Sequence, residues 1–352
     1  MITETAVLTA NNEENEKILS RAAEIIRSGG LVAFPTETVY GLGASALDAD
    51  AAAKIYAAKG RPSDNPLIIH LAKASDAAKY AYVTDAYEKL AGAFMPGPLT
   101  VIMKKKENIP DTVTGGLDSV AVRVPSNPAA RRLIELAGVP IAAPSANLSG
   151  KPSPTSAAHV TEDLNGRVDM IIDGGSTQIG LESTIIKLDC EKPTLLRPGR
   201  VTLEQLTDLF GEVALDKAVT QKLTFGERPL APGMKYRHYA PSAPLTLVDG
   251  TDEDFIGYVI GKSGDGVAVI ACDEDKERLI NAGFMPENVL TLGARADVVS
   301  HAASLFALLR TCDERNFTNL YAKLPAREGL SLALYNRIIK AAGYNVITVT
   351  RK

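Results

Sequence analysis

The chain has 352 residues, of which 45% are hydrophobic and 23% charged, with no tryptophan and a formal net charge of −4. This length exceeds one ordinary domain, so we expect two globular domains. The acidic balance argues against a general nucleic-acid-binding protein, and the scarcity of aromatic residues argues against a stacking surface for single strands. Three widely spaced cysteines argue against a disulfide framework and indicate a reducing compartment.

The first residues lack the basic and apolar segments of a signal peptide, and no apolar run is long enough to cross a bilayer. We therefore expect a cytoplasmic protein without a membrane anchor. Neither a CxxC nor an HExxH motif occurs, so a zinc site built from protein side chains is not predicted.

The first elements follow from the spacing of apolar residues. A helical stripe predicts a helix over residues 13–28, and short apolar runs predict strands over 31–34 and 67–69. Between these strands, Asp50 is predicted to cap an alanine-rich helix over 51–58.

Small and polar residues follow the first of these strands. Thr36, Glu37 and Thr38 come directly after it, where a rigid scaffold commonly presents binding groups. Gly41 and Gly43 are interpreted as positions where the backbone turns tightly or approaches a ligand.

The remainder of the first domain mixes helices and strands without strict alternation. The predicted elements are helices over 74–94 and 128–137, a helix beginning at Thr155, and strands over 99–103, 120–124, 139–143, 170–173, 183–188 and 194–197. The last two strands would form a hairpin-like pair. This order predicts a twisted mixed sheet with flanking helices.

Residues 205–243 are predicted to link the two domains, with a short helix over 202–210 at their beginning. Residues 231–241 are rich in tyrosine, arginine and histidine, which is unusual for a solvated connector. Two interpretations stay open: this segment packs on the first domain as a lid, or it joins the domains without packing.

The pattern becomes regular over residues 244–352. Predicted strands over 245–248, 266–270, 288–292, 317–321 and 345–349 alternate with helices over 252–261, 274–282, 297–311 and 328–341. This alternation is typical of a doubly wound, Rossmann-like parallel sheet. No GxGxxG motif follows its first strand, so a dinucleotide site is not predicted there.

Further polar clusters accompany the apolar strands of the first domain. They are Lys59, Arg61, Ser63 and Asn65 with His70; Ser119 with Arg123; Ser145, Asn147 and Ser149 with Ser153; and later Ser183 and Arg197. Because each cluster accompanies a strand, all of them could face one edge of one sheet. A lysine and an arginine together suit a polyphosphate, and an arginine on a strand suits a carboxylate.

No Ser-His-Asp or Cys-His arrangement is recognisable, so covalent catalysis is not predicted. The composition favours catalysis by positioning and charge stabilisation, as in phosphoryl or nucleotidyl transfer. Each cluster also has a purely structural interpretation. Lys59 and Arg61 could be a charged helix end, His70 a core histidine, and Arg123 and Arg197 partners in ion pairs.

Seven segments, in this order, resemble the YrdC-like domain of L-threonylcarbamoyladenylate synthases: FPTETVYGLG, KGRPSDNPLIIH, MPGPLTV, VAVRVPSNP, APSANLSGKPSPT, ESTII and LLRPG. They lie within residues 15–202, and HYAP at 238–241 with the late segment EGLSLALYNRIIKAA resembles the longer, two-domain form. The resemblance implies a YrdC-like catalytic domain over 13–204, a linker or lid over 205–243 and a Rossmann-like domain over 244–352.

The family makes threonylcarbamoyl-AMP and pyrophosphate from L-threonine, bicarbonate and ATP, so the resemblance implies a nucleotidyltransferase. It also implies Mg²⁺ held by the ATP phosphates rather than by protein side chains. A partner complex then transfers the threonylcarbamoyl group to the adenosine beside the anticodon of tRNAs that read ANN codons. Implied partners are therefore that complex and, at most weakly, tRNA.

The resemblance also assigns roles to residues. L-threonine would contact Thr36, His70, Arg123, Ala143 and Ser183, with Arg123 taking its carboxylate. ATP would contact Lys59, Arg61, Ser63, Asn65, Ser119, Ser145, Asn147, Ser153, Arg197 and Tyr239. Lys59 and Arg61 would be the catalytic cations, and Tyr239 would close over the nucleotide.

Two other functions are compatible with this fold. An RNA-binding module of the same fold, without synthase activity, is disfavoured because residues 1–204 carry more acidic than basic side chains. A carbamoyl-phosphate-using maturation domain shares the fold, but the acylphosphatase-like segment and zinc-finger cysteines that usually accompany it do not occur in this sequence.

Overall fold

The chain forms two compact units in a computed structural model that describes residues 2–188, 190–222, 230–232 and 239–349. The first unit comprises Met1–Ser149 and Ser153–Lys235, and the second comprises Gly150–Pro152 and Tyr236–Lys352. Among the described residues, no helix combines the length and the apolar character that crossing a membrane would require.

The first unit is built around a mixed sheet of eleven described strands. They are β1 (Glu4–Val7), β2 (Val32–Phe34), β3 (Gly41–Ser45), β4 (Ile68–His70), β5 (Leu99–Lys104), β6 (Ser119–Arg123), β7 (Ile141–Ala143), β8 (Met170–Asp173), β9 (Thr184–Lys187), β10 (Thr194–Arg197) and β11 (Ala214–Leu215). Their order in the sheet is β1-β8-β2-β3-β7-β4-β6-β5-β9-β10-β11. Parallel pairs such as β4 with β6 and antiparallel pairs such as β5 with β6 occur together, which confirms the predicted mixed sheet.

The helices of the first unit flank this sheet. They are α1 (Asn12–Arg27), α2 (Ala49–Lys59), α3 (Asp85–Phe94), α4 (Asp111–Thr114), α5 (Pro128–Ala137), α6 (Ala157–Leu164) and α7 (Leu203–Phe210). Residues 74–79 form a separate 3₁₀ turn before α3. The described residues 203–222 therefore contain regular structure within the segment predicted to be a linker.

The start of α2 differs from the prediction because Asp48, not Asp50, is its cap. The Asp48 carboxylate accepts hydrogen bonds from the backbone N–H groups of Asp50 at 2.9 Å and Ala51 at 3.1 Å. Asp50 lies instead in the first turn, where its charge favours the positive end of the helix dipole. Gly60 ends the helix in the left-handed conformation, with φ of 61°. A similar shift occurs at α6, whose cap is Ser156 rather than Thr155.

Gly41 and Gly43 lie in strand β3, so the interpretation that the backbone turns tightly there is wrong. They are needed because the ring of Phe34 on the neighbouring strand covers them. A Cβ on Gly43 would come within 2.7 Å of both Phe34 Cε1 and Ile141 Cγ2. Gly41 is also close to the Phe34 ring, at 3.2 Å. Glycine is therefore needed at both positions to leave space for the Phe34 ring, and not to let the backbone bend.

Alternation along the strands divides the sheet into two faces with separate cores. One face carries Ile69, Val101 and Val122, which join the core formed with α2. The opposite face carries Ile141 and Ala143, which pack with α1 and α5. Further along this second face, a smaller apolar cluster contains Ile68, Ile102, Ala121 and Ile185.

The second unit contains a parallel sheet of five described strands: β12 (Leu245–Asp249), β13 (Val267–Ala271), β14 (Val289–Thr291), β15 (Asn319–Lys323) and β16 (Val346–Thr348). Their order is β14-β13-β15-β12-β16, and every described pair is parallel. The connecting helices are α8 (Asp252–Ile260), α9 (Lys276–Asn281), α10 (Val298–Glu314) and α11 (Ser331–Ala341). Consecutive strand residues such as Leu247 and Val248 are both buried, so both faces of the sheet are covered. The predicted Rossmann-like architecture is confirmed.

Candidate active site

Three polar side chains lie side by side on the second face of the large sheet. His70 pairs with Arg123 across β4 and β6, and Arg123 pairs with Thr100 across β6 and β5. Residues paired across adjacent strands share a face, so these side chains form a polar strip. The strip lies between the apolar cluster that includes Ala143 and the cluster that includes Ile102. His70 and Arg123 are the last residues of β4 and β6, so the strip lies on one face of the sheet at the end of these strands.

Arg123 is held by the turn that follows β2. Its Nη2 donates hydrogen bonds to Glu37 Oε1 and to Thr38 Oγ1, both at 2.8 Å. Thr38 Oγ1 in turn lies 2.9 Å from Thr36 Oγ1. All four residues are buried, and Arg123 is only 4% exposed. The structure thus brings the predicted threonine-binding residues Thr36 and Arg123 into one hydrogen-bonded network.

Ser183 is connected to the far side of the same strip. The Arg197 guanidinium donates from Nε to the Ser183 carbonyl oxygen at 3.0 Å and from Nη2 to Ser183 Oγ at 3.1 Å. Thr100 Oγ1 and Ser183 Oγ are 2.8 Å apart. A β-bulge between Leu195 and Arg197 shifts the register of β10 beside β9.

His70 is a neutral imidazole in this environment. Burial, reinforced by the positive charge of Arg123, lowers the pKa of His70 to about 3. Its Nδ1 is 3.2 Å from the carbonyl oxygen of Ile68 and 3.3 Å from that of Ile141. Two carbonyl acceptors require that Nδ1 carry the hydrogen, so Nε2 holds a lone pair that can accept a hydrogen bond.

A second centre forms where Lys59, at the end of α2, meets the loop that follows β7. Lys59 is 2% exposed. Its Nζ donates to the carbonyl oxygens of Ser145 and Asn147, the second at 2.5 Å. Ser145 Oγ donates to Asn147 Oδ1, also at 2.5 Å. The predicted phosphate-binding lysine and the Ser-x-Asn segment, far apart in sequence, are therefore in direct contact.

The Arg61 side chain is held by hydrogen bonds to the loop that follows it. Its Nε donates to the carbonyl oxygen of Asn65 at 3.3 Å, and Nη2 donates to that of Pro66 at 3.1 Å. Ser63, in the same loop, is exposed. Ser119 is buried but begins β6, whereas Arg123 ends it, so the two residues of this predicted cluster lie at opposite ends of one strand.

The remaining predicted residues lie apart from these contacts. Ser153 Oγ donates to the carboxylate of Glu182 at 2.6 Å. Tyr239 belongs to the second unit, where it is buried with its ring centroid 5.0 Å from that of Phe306. Residues 233–238 of the predicted lid, His238 among them, are outside the described residues.

Sequence reasoning placed Glu37 and Thr38 in a polar cluster, but it did not include them, Thr100 or Glu182 among the ligand-binding residues. Glu37 and Thr38 could have been included, because they adjoin Thr36 within the segment that carries the family resemblance. Thr100 also lies in a resembling segment, MPGPLTV, but a threonine in an apolar strand is ordinary and gave no reason to choose it. Its relation to Ser183 depends on the parallel pairing of β5 with β9.

The two centres differ in charge and suit different ligands. Lys59 and Arg61 supply cations, with hydroxyl and amide groups beside them, as a polyphosphate requires. The strip around Arg123 combines a guanidinium with a carboxylate and a neutral imidazole, as a small zwitterion requires. Within the described part of the chain, no three His, Cys, Asp or Glu side chains are grouped closely enough to hold a metal ion.

Comparison with known families gives two matches that together span most of the chain. Residues 24–199 match a family described as "Telomere recombination", which groups Sua5, YciO and YrdC sequences. Residues 201–343 match the family described as "Threonylcarbamoyl-AMP synthase, C-terminal domain".

Individual relatives agree with these matches. The threonylcarbamoyl-AMP synthase of Pyrococcus abyssi is 46% identical over 347 residues, covering 98% of this chain and 100% of the relative. That of Bacillus subtilis is 45% identical over 338 residues, covering 95% of each chain. A crystal structure of P. abyssi Sua5 complexed with L-threonine superposes with a TM-score of 0.88 at 43% identity, covering 99% of this chain and 100% of that one.

Proposed function

The chain belongs to the threonylcarbamoyl-AMP synthase family, and from this premise we propose that its two polar centres hold the two large substrates of that synthesis. Lys59 and its neighbours would bind ATP, and the strip around Arg123 would bind L-threonine. The contact of Lys59 with Ser145 and Asn147 carries the proposal, because it brings a buried cation together with hydroxyl and amide groups of a distant segment. The comparisons favour synthesis over an RNA-binding module.

In this proposal each predicted residue has a physical task. Arg123 takes the threonine carboxylate, while Thr36, His70 and Ser183 offer hydroxyl and imidazole groups to its polar atoms. Ala143 leaves room beside them, because its side chain is small. The nucleotide side would be lined by Arg61, Ser63, Asn65, Ser119, Ser145, Asn147, Ser153 and Arg197, and a nucleotide contact of Tyr239 stays a prediction from the family resemblance.

The chemistry is nucleotidyl transfer. The threonine nitrogen forms a bond to the carbon of bicarbonate with loss of water, which yields a carbamate. A carbamate oxygen then attacks the α-phosphorus of ATP, and pyrophosphate leaves with the electrons of the broken P–O bond. Lys59 and Arg61 stabilise the negative charge on that leaving group.

Mg²⁺ fits this site as a companion of ATP. The side chains at the Lys59 centre are cationic or neutral, so they suit a metal that the phosphates hold, and such a metal would neutralise phosphate charge. Transfer of the product to tRNA by a separate complex, in the cytoplasm, is part of the same proposal.

The first test measures pyrophosphate release from ATP by the purified chain, with L-threonine or bicarbonate omitted in turn. We expect release only when both are present. Release without either substrate, or none under any condition, would contradict the proposal.

Two variants test the assignment of the centres. Lys59→Met is expected to raise the KM for ATP, and Arg123→Gln that for L-threonine, each by about tenfold or more, because each removes a charge-assisted hydrogen bond. Lys54→Met is the matched control, since Lys54 lies on the same helix and donates to the Gly29 carbonyl oxygen at 2.7 Å. The assignment is wrong if the two KM effects are exchanged.

A further inference from the structure

The turn after β2 contains a buried carboxylate whose hydrogen bonds are incomplete. Glu37 uses Oε1 to accept from Arg123 Nη2, and both side chains are only 5% exposed. Glu37 Oε2 is buried and has no hydrogen-bond partner among the described residues. The same is true of Arg123 Nε. One acceptor and one donor of a single ion pair are thus unsatisfied.

Such atoms are expensive to leave unpaired. Removing a charged group from water costs several kcal/mol unless hydrogen bonds replace those to water. Buried charged atoms in folded proteins are therefore nearly always paired, and an exception calls for an explanation such as a water, an ion or a catalytic role. The Glu37–Arg123 pair leaves one carboxylate oxygen and one guanidinium N–H group without a hydrogen bond.

The two unsatisfied atoms match the two charges of an α-amino acid. A carboxylate accepts from a guanidinium N–H, and an ammonium group donates to a carboxylate oxygen. In an α-amino acid these two charges are attached to one carbon, and here the complementary groups are joined by a 2.8 Å hydrogen bond. A cavity of about 180 Å³, lined by residues that include Thr36, Glu37 and Thr177, adjoins the turn.

We propose that Glu37 binds the ammonium group of the amino-acid substrate, and so makes the site selective for an amino acid over a hydroxy acid. This inference rests on the proposed function and identifies a specificity-determining residue for it. Arg123 and Glu37 then act together, the first on the carboxylate and the second on the ammonium group.

The other polar groups of the strip are less suited to this task. His70 offers a single lone pair at Nε2 and no negative charge. Thr36 Oγ1 already donates to the Val39 carbonyl oxygen at 2.6 Å. Ser183 Oγ is shared between Thr100 and Arg197. Glu37 is the anion in contact with Arg123 among the described residues.

The test compares two ligands by isothermal titration calorimetry. One is L-threonine, and the other is 3-hydroxybutanoate, which is threonine without its amino group. In the Glu37→Gln variant we expect threonine affinity to fall about 10- to 100-fold, whereas 3-hydroxybutanoate affinity stays within about twofold. Glutamine keeps an oxygen to accept from Arg123, so that contact survives.

Controls separate ammonium binding from a general disturbance of the site. Arg123→Gln should weaken both ligands, because both carry a carboxylate. Asp169→Asn should weaken neither, since Asp169 accepts from the Leu31 backbone at the other end of β8. Glu37→Asp keeps the charge and, with circular dichroism, shows that the turn still folds after substitution.

The outcomes distinguish this inference from the function on which it rests. Unchanged threonine affinity in Glu37→Gln, or an equal loss for both ligands, would overturn the role of Glu37 and leave the synthase intact. Failure of the unaltered chain to bind threonine, or to release pyrophosphate with threonine and bicarbonate, would overturn both.

Discussion

His70 shows how burial decides what a side chain can offer a ligand. An exposed histidine would be partly charged near neutral pH and could attract a carboxylate. Beside Arg123 and away from water, His70 is neutral, so it serves as a directional acceptor. In the proposed function the substrate carboxylate is therefore assigned to Arg123, whose guanidinium is paired with the Glu37 carboxylate.

The buried neutral state of His70 predicts a pH dependence of stability. In the unfolded chain His70 binds a proton below about pH 6.5, whereas in the folded chain its pKa is about 3. The unfolding free energy therefore falls as the pH drops from about 6.5 towards 3, because protonation then favours the unfolded chain. The loss has a slope of about 1.4 kcal/mol per pH unit. Urea unfolding of the parent and of His70→Gln, near pH 7 and near pH 5, measures it.

The comparison of the two proteins isolates this one histidine from other titrating groups. His70→Gln should lose about 2 kcal/mol less than the parent between these pH values. Equal losses in both proteins would show that His70 is protonated in the folded state.

At this scale, much of the site could be predicted from the sequence. Lysine, arginine and small hydroxyl side chains in the segments that resemble the family predicted phosphate and carboxylate binding, and the structure brings Lys59 and Ser145 of this set into contact. The role of Glu37 could not be predicted, because its partner Arg123 lies 86 positions away. Only the register of strands and the path of the turn bring them together.

Among the elements, β3 illustrates a strand whose composition is set by its neighbour. Its two glycines accept the Phe34 ring, which also makes an edge-on contact with His70 at a centroid distance of 6.1 Å. Because β3 lies between β2 and β7, a disturbance there reaches the strands that lead into the turn of Thr36 and into the loop of Ser145.

Gly43→Ala is expected to destabilise the fold by about 1–3 kcal/mol, because the added methyl group would overlap Phe34 and Ile141. Gly92→Ala is the matched control: Gly92 lies within α3, and an added methyl group would meet no atom within 4 Å. That variant should gain up to about 1 kcal/mol through helix propensity. Chemical denaturation followed by circular dichroism measures both, and a stabilising Gly43→Ala would contradict the packing argument.

Element boundaries were predicted less well than element types, and α2 shows why. Asp48 and Asp50 are both acceptable caps, and a sequence gives no reason to choose between them until the chain direction before the helix is known. The interpretation of the two β3 glycines as turn residues was wrong for a related reason. Glycine signals freedom of the backbone, whereas here its missing side chain mattered.

On the scale of the whole molecule, the two units follow different construction rules. The first uses a mixed sheet whose faces differ, one closed by apolar packing and one interrupted by a polar strip. The second uses a parallel sheet buried on both faces. Regular alternation made the second architecture predictable, whereas the strand order of the first required pairings between distant segments.

The second unit includes the short segment Gly150–Pro152, which is bound by an arginine of α10. Arg310 is buried, and its Nη2 donates to the Pro152 carbonyl oxygen at 2.7 Å. Arg310→Met should therefore cost about 1–3 kcal/mol of unfolding free energy, since the carbonyl loses its charged donor.

Arg315→Met is the control for this prediction. Arg315 directly follows the same helix and also donates to a carbonyl oxygen, that of Glu287, but its side chain is exposed. Its substitution should change the unfolding free energy by less than about 0.5 kcal/mol. If urea unfolding shows that both substitutions lower the unfolding free energy equally, burial of the Arg310 contact does not add to stability.

The strand order of the second unit also constrains how the chain acquires this structure during synthesis. Strand β12, the first to be made, has only β15 and β16 as neighbours. It must therefore remain without a partner until residue 319 has been added, while β13 and β14 can already pair with each other. A ribosome that stalls between these points would display an apolar, unpaired strand, which is a ready target for chaperones and for aggregation.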